Sequence, residues 1–150
     1  MSGPARTARR RVLRAAPPTA LRLRHPVVVD CGVLAAVLFD EPEREAALRG
    51  LAGASLHAPS LLDYEIASVA AHKARAGQGE AAAQGLADYA VLALQRVAVA
   101  PFVQAGLAVS YGISTYDAAY LWLAAELRAP LLTFDATLAR AARRHLGSGR

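Results

Sequence analysis

Short apolar runs alternate with longer amphipathic stretches along most of the chain. The clearest run is Val27-Val28-Val29, a β-branched segment that predicts a strand buried on both faces. Three further short segments, each bounded by turn residues or proline, predict strands of the same sheet. They cover residues 55–58, 97–99 and 131–133.

The stretches between these strands carry apolar side chains at helical spacing, so they predict amphipathic helices. Prolines in first turns, glycines beyond last turns and Thr115 as an N-cap mark their ends. The predicted helices cover residues 33–39, 42–51, 59–76, 80–94, 101–111, 116–128 and 135–146. Strands that alternate with helices pair in parallel through right-handed crossovers. The pattern therefore predicts an α/β fold, with a central, mainly parallel sheet of four to five strands flanked by helices on both faces.

The length and composition fit one globular domain. The chain has 150 residues, of which 55% are hydrophobic, and this argues against a disordered protein. Cys31 is the only cysteine, so no internal disulfide forms, which favours a reducing, cytoplasmic setting. No stretch approaches the roughly 18 uninterrupted apolar residues of a membrane span. The sequence therefore predicts a cytoplasmic protein with no membrane partner.

The net charge of +5 is concentrated at the N-terminus. Residues 1–24 contain seven arginines and no acid, whereas residues 25–150 contain ten basic and twelve acidic residues, a net charge of −2. Residues 1–25 also lack apolar periodicity, so we predict a flexible, Arg-rich extension before a folded domain over residues 26–150. The extension is either a basic arm that touches RNA phosphates or a segment without such a role.

Four acids fall where a parallel sheet gathers its ligands, outside the carboxyl ends of the strands. Asp30 ends the first strand, and Asp135 closely follows the fourth. Glu65 lies on the helix after the second strand, and Asp117 lies in the first turn of its helix. Each has an ordinary explanation alone, as a helix cap, a favourable charge at a helix start or a solvated position. Asp30, however, ends a wholly apolar strand, where a carboxylate is costly unless it is paired or binds a metal.

A cluster of these carboxylates favours a hard divalent cation. Two like charges about 4 Å apart repel by about 4 kcal/mol at an effective dielectric constant of about 20, and a divalent cation reverses the sign. Carboxylate and water oxygens select Mg²⁺ or Mn²⁺ rather than Zn²⁺, which prefers nitrogen and sulfur. Carboxylate-held Mg²⁺ suits phosphodiester hydrolysis, because it lowers the pKa of a water and stabilises the leaving oxygen.

Four segments of the chain resemble the PIN-domain family, and most closely its VapC-type toxins from bacterial toxin–antitoxin pairs. The two most specific are a Tyr-Asp-Ala-Xaa-Tyr helix start at residues 116–120 and Pro-Leu-Leu-Thr-Xaa-Asp at residues 130–135. The other two are Val-Val-Val-Asp-Cys-Gly-Val-Leu from residue 27 and Ala-Pro-Ser-Leu-Leu-Asp-Tyr-Glu from residue 58. The resemblance covers about residues 26–145 and implies a PIN-like three-layer fold, with helices on both sides of a central sheet.

The resemblance also implies the site and its partners. Asp30, Glu65, Asp117 and Asp135 match the four acids of the family, which imply metal ligation and catalysis with Mg²⁺, or Mn²⁺ in its place. The family implies an endoribonuclease that acts on tRNA, rRNA or mRNA, a cognate antitoxin that blocks the site, and a homodimer. One position departs from the pattern: Gly32 stands where the family often has Ser or Thr, whose hydroxyl supports the metal site.

Two other functions compete with the ribonuclease. A catalytically weak or inactive PIN-like domain that binds RNA or protein is motivated by Gly32. A nucleotide-binding α/β domain is disfavoured, because the chain contains no Gly-rich phosphate loop of either common spacing.

Overall fold

A computed structural model describes residues 24–147, which form alternating strands and helices. The strands are β1 (His25–Val29), β2 (Ala54–Pro59), β3 (Leu94–Val97) and β4 (Leu131–Leu132). The helices are α1 (Cys31–Leu38), α2 (Arg44–Leu51), α3 (Leu62–Arg75), α4 (Gly79–Val91), α5 (Pro101–Tyr111), α6 (Thr115–Leu127) and α7 (Ala136–Gly147). Strand β1 begins one residue before the predicted domain boundary at Pro26, and almost all of the predicted N-terminal extension lies outside the described residues.

The four strands of this region form one parallel sheet in the order β3-β2-β1-β4. β1 lies between β2 and β4, with Val28 opposite His57 on one side and Leu131 on the other. All strands run the same way, so their carboxyl ends share one edge of the sheet. The predicted α/β class and the parallel pairing are confirmed.

The core is built around β1 because it is the most enclosed strand. Val27, Val28 and Val29 are fully or almost fully buried, as their β-branched run predicts. Helix α6 packs across β1, β2 and β4 and buries Tyr120 and Leu123 completely or almost so. The central strand and this helix therefore form a rigid platform that ends at the carboxyl edge of the sheet.

Two predicted boundaries around the second and third strands are wrong. Pro59 does not begin a helix: it is the last residue of β2, opposite Val97, and the next backbone N–H, from Ser60, donates to the Val97 carbonyl at 2.9 Å. Proline fits there because it has no N–H to contribute. Helix α3 consequently begins at Leu62, which makes Glu65 its fourth residue and brings it closer to the sheet edge than predicted.

The third strand lies at residues 94–97 and not at the predicted 97–99, so the fourth helix ends at Val91. β3 is an edge strand that pairs only with β2, and it buries Leu94 while leaving Gln95 and Arg96 exposed. A half-exposed edge strand tolerates polar residues, and because of Gln95 and Arg96 this segment does not show the apolar pattern by which a strand is predicted.

Within residues 24–147, the helices are all too short or too polar to cross a lipid bilayer.

Gly85 allows α4 to pack closely against the end of α1. A Cβ atom at this position would lie 2.8 Å from the Leu38 carbonyl oxygen and even closer to the buried ring of Phe39. Helix α4 packs mainly against α3 and contacts α1 at this point, where Gly85 is buried. Only glycine fits without displacing backbone or a core aromatic ring.

Replacing Gly85 by alanine is expected to destabilise the protein by about 1–3 kcal/mol, because overpacking forces the ring and the carbonyl apart. The measurement is the free energy of unfolding in urea. Gly79→Ala is the matched control: Gly79 is the first residue of the same helix, and a methyl group added there would meet nothing within 4 Å, so alanine should change the stability by less than about 1 kcal/mol. Equal effects at the two positions would contradict the close packing.

Candidate carboxylate site

Asp30 stands at the carboxyl end of β1 and caps helix α1. Its Oδ1 accepts a hydrogen bond of 2.7 Å from the backbone N–H of Cys31. Its own N–H donates to the Leu132 carbonyl at 3.0 Å, which continues the pairing of β1 with β4 beyond the strand. Asp30 therefore caps α1, as its position in the sequence allows, and this hydrogen bond fixes one carboxylate oxygen at the sheet edge.

The second oxygen of Asp30 is held by Thr133. The Thr133 hydroxyl donates to Asp30 Oδ2 at 2.7 Å and accepts from the Asp135 backbone N–H at 2.9 Å. Asp135 Oδ1 in turn accepts from the Leu138 N–H at 2.8 Å, in the first turn of α7. One hydroxyl thus ties the first acid to the loop that carries the fourth.

Glu65 is oriented from helix α6. The hydroxyl of the fully buried Tyr120 donates to Glu65 Oε2 at 2.5 Å. Glu65 is half-buried in the first turn of α3, so this bond links two helices that carry different acids of the site. Burial of the ring and this hydrogen bond to a carboxylate both raise the pKa of the Tyr120 hydroxyl.

Asp117 lies one turn before Tyr120 on α6. Ser114 is the N-cap of this helix, not Thr115 as predicted, because its hydroxyl accepts from the Asp117 N–H at 3.0 Å. The Asp117 carboxylate is half-buried beside the start of the helix. The spacing of three residues places Asp117 and Tyr120 on the same side of α6, which faces the sheet edge.

Hydrogen bonds hold the four acids around the carboxyl edge of the sheet, where burial and like charges raise the pKa of three of them. Burial raises the pKa of Asp30, and the charges of Asp117 and Asp135 raise it further against the lowering effect of its two hydrogen bonds. Burial and the charges of Asp30 and Asp117 likewise raise the pKa of Glu65. Burial and Asp135 do the same for Asp117.

No cation of the described chain lowers the pKa of Asp30, Glu65 or Asp117 by its charge. The ion pairs found among residues 24–147 join Arg44 to Asp40, Arg49 to Glu45, Lys73 to Glu41 and Arg96 to Asp63. Among residues 24–147, the edge of the sheet is thus a negative site without a balancing cation.

Comparison with known proteins identifies the family to which this chain belongs. The family model described as "PIN domain" matches residues 27–144. This chain belongs to the PIN-domain family. It is 32% identical over 120 residues to the protein named Ribonuclease VapC3 of Pyrobaculum aerophilum, a match that covers 75% of this chain and 92% of that protein.

A solved structure shares the fold. The crystal structure of PAE2754 from Pyrobaculum aerophilum superposes with a TM-score of 0.56 at 18% identity, covering 82% of this chain and 88% of the other. The match shows that the two chains share this α/β fold.

The acids of this PIN domain suit an ion that keeps most of its own water. Within the described part of the chain, no group of three or more His, Cys, Asp or Glu side chains is arranged to enclose a metal ion. Mg²⁺ needs no such cage, since it is commonly bound through one or two carboxylates while waters and substrate phosphates fill the other positions. The donor set, all carboxylate oxygen without a balancing cation, fits that mode.

Cys31 lies between two of the acids but is not a nucleophile. Burial, with the charges of Glu65 and Asp30, raises the pKa of its thiol to about 12. The thiol therefore stays protonated at neutral pH, and Cys31 serves as a small apolar side chain beside the site.

Sequence reasoning missed Thr133 and Tyr120, the two residues that orient the acids. Thr133 stands two residues before Asp135, where a hydroxyl can accept the Asp135 N–H, so local turn chemistry signalled part of its role. The bond from Tyr120 to Glu65 spans 55 positions, and no local pattern indicates it.

The raised carboxyl pKa values predict how stability depends on pH without metal. The folded protein holds the Glu65 proton more tightly than the unfolded chain, so this contribution is present at low pH and is lost as the pH rises through the raised pKa. In EDTA, the Tm of Glu65→Gln relative to wild type should therefore increase between about pH 4 and pH 7.

Glu80→Gln is the matched control, because Glu80 also lies in the first turn of a helix but is exposed and outside the cluster. Any effect of the helix dipole is common to both variants. A Tm difference for Glu65→Gln that stays flat or falls with pH, like that of the control, would contradict like-charge repulsion at the site.

Proposed function

We propose that this PIN domain is a Mg²⁺-dependent endoribonuclease and the toxin of a type II toxin–antitoxin pair. The observation that carries the proposal is the convergence of Asp30, Glu65, Asp117 and Asp135, from four different parts of the chain, on one edge of the sheet, where no cation of the described residues balances them. The similarity to a protein named Ribonuclease VapC3 supports RNA as the substrate class.

The four carboxylates would share Mg²⁺, or Mn²⁺ in its place, with each ion bound through one or two of them and water completing its shell. When bound, the cation lowers the pKa of a water and stabilises the oxygen that leaves phosphorus. The site needs a cation for a second reason, because four uncompensated carboxylates repel an RNA phosphate.

The side chains of the protein supply orientation. Thr133 and the Cys31 N–H each bind one oxygen of Asp30, so the carboxylate cannot rotate freely. Tyr120 fixes one oxygen of Glu65 from the buried core and leaves the other oxygen available. Groups held in place before the substrate arrives need no reorganisation during the reaction, which is the main electrostatic advantage of an enzyme site.

The alternative of a non-catalytic binding domain rests on Gly32. A Cβ atom at this position would meet nothing within 4 Å, so the missing Ser or Thr hydroxyl leaves open space near Asp30. Thr133, however, already gives Asp30 a hydroxyl donor. Asp30 therefore retains the kind of support that the substitution removes, which favours the catalytic function.

The proposal includes three partners and a location. The substrate is tRNA, rRNA or mRNA, and a cognate antitoxin covers the site in the cell. The protein acts in the cytoplasm, where a lone, protonated Cys31 thiol is compatible with a reducing environment.

The third partner is a second copy of the chain, bound through helix α5. No residue of α5 is buried, none is charged, and Phe102 and Val109 on one face are 89% and 87% exposed. With Ala105 and Gly106 they form an outer face of apolar and small side chains. An uncharged face can meet its own copy without like-charge repulsion, as a twofold interface requires.

The central test replaces Asp117 by asparagine. Loss of one ligand charge should reduce Mg²⁺-dependent cleavage of total tRNA or rRNA on the order of 100-fold or more, while the fold persists. Glu126→Gln is the matched control, since Glu126 is exposed near the other end of the same helix. The measurement is the cleavage rate of purified, antitoxin-free protein with Mg²⁺ and with EDTA, alongside the rise in Tm that Mg²⁺ produces.

Cleavage by wild type and Glu126→Gln alone, abolished by EDTA, agrees with the proposal. Cleavage by Asp117→Asn, or in EDTA, would refute the metal mechanism. RNA binding that ignores Mg²⁺, from a wild type that cleaves nothing, would establish the binding domain instead.

The dimer is tested by Phe102→Glu. A charge on each copy of α5 introduces like-charge repulsion across a twofold axis, so the molar mass from light scattering should fall to that of a monomer. Leu86→Glu serves as the control, because Leu86 is an exposed apolar residue on another helix, α4. A wild type that is already monomeric at micromolar concentration would contradict the interface.

A further inference from the structure

An open cavity of about 750 Å³ adjoins the carboxylate site. It lies between the starts of α1 and α6 and the N-terminal halves of α3 and α5, and Glu65 and Cys31 form part of its wall. Its volume is within the range of about 300–1,000 Å³ that small-molecule sites occupy. Whatever fills it lies directly beside one of the four acids.

The cavity is flanked by two tyrosines that have no partner within residues 24–147. Tyr64 is 78% exposed and Tyr116 is 63% exposed, and neither ring nor hydroxyl makes a hydrogen bond or ring contact there. Each immediately precedes an acid of the site, Glu65 or Asp117. Two flat, amphipathic rings are therefore exposed beside the carboxylates, whereas Tyr120 is buried in the core and its hydroxyl is bound to Glu65.

The rest of the wall suits an uncharged, flat group. The lining contains no lysine or arginine of the described chain, so it offers no cation to a phosphate. Its other side chains are apolar except for Ser68, whose hydroxyl is occupied by the Tyr64 carbonyl at 3.0 Å, and Gln104. The half-buried Gln104 amide has no hydrogen-bond partner in the described chain, and it can donate and accept along the edge of a base.

We propose that this cavity binds an unpaired nucleobase of the RNA, next to the phosphodiester that is cleaved. Tyr64 and Tyr116 provide the stacking surfaces, and Gln104 contacts the edge of the base. Every base has a π-face, so aromatic rings hold single-stranded RNA where cations are absent. The inference rests on the proposed ribonuclease function and adds to it the element that positions the strand.

A second protein copy is a poorer occupant of this cavity. The exposed face of α5 that we assign to the dimer carries Phe102 and Val109, which lie seven residues apart on one side of the helix. Gln104 lies about 200° around the helix from Phe102, so the cavity and the dimer face occupy different sides of α5. The two surfaces can be filled at the same time.

The test changes each tyrosine to leucine, which keeps apolar volume but removes the stacking surface, and to phenylalanine, which keeps the ring. The probe is a single-stranded RNA of mixed sequence with 2-aminopurine at each position in turn. We expect Tyr64→Leu and Tyr116→Leu to raise KM on the order of 10-fold with little change in kcat, and to abolish the quenching of 2-aminopurine on binding. The phenylalanine variants keep the ring, so their KM and their quenching of 2-aminopurine should stay within about twofold of wild type.

Binding is measured with Asp30→Asn, so that the RNA stays intact, and Val91→Ala is the control for an exposed apolar residue outside the cavity. Unchanged KM and quenching in the leucine variants, while wild type cleaves RNA, would overturn the base site. A change in molar mass with no change in RNA binding would overturn it too, and would assign the cavity to a protein interface. If wild type cleaves no RNA, the ribonuclease fails, and the quenching still decides the base site by itself.

Discussion

Mutual repulsion among carboxylates is the constraint on which this molecule depends. Burial raises the pKa values of Asp30, Asp117 and Glu65, and the charges of neighbouring acids of the site raise them further. The ion pairs of the described chain lie elsewhere and leave these acids uncompensated. A cation or an apolar side chain at these positions would make the folded protein more stable than four carboxylates do. The stability lost at this edge is recovered in the core behind it, where β1 and α6 are almost completely enclosed.

The support for the acids comes from that core. Tyr120 is fully buried on the inner face of α6 and reaches Glu65, while Thr133 extends the pairing of β4 with β1 into a hydroxyl contact with Asp30. Each supporting group is fixed by elements that the hydrophobic pattern dictates. The positions of the acids relative to one another are therefore set by packing, and a divalent ion would meet an arrangement that repulsion alone would spread apart.

The sequence predicts the sheet and the acids better than it predicts their surroundings. The run Val27-Val28-Val29 before Asp30 identified both the central strand and its terminal carboxylate. The start of α3 was missed because Pro59 suits either a first helical turn or a final strand residue, and only pairing with Val97 decides between them. The link from Tyr120 to Glu65 requires the packing of α6 against α3, which is a long-range contact without a local signature.

The charge distribution explains why this domain would bind RNA in two ways, with a metal cation at the phosphate and aromatic rings at a base. Residues 25–150 carry a net charge of −2, and Arg44, Arg49, Lys73 and Arg96 are committed to ion pairs with neighbouring acids. The face near Glu65 therefore lacks the arginine and lysine groups that usually bind phosphates. A bound cation can attract the phosphate to be cleaved, but it cannot orient the strand on either side of it. Tyr64 and Tyr116, next to the acids in sequence and exposed beside them, supply the directional contact that the carboxylates lack.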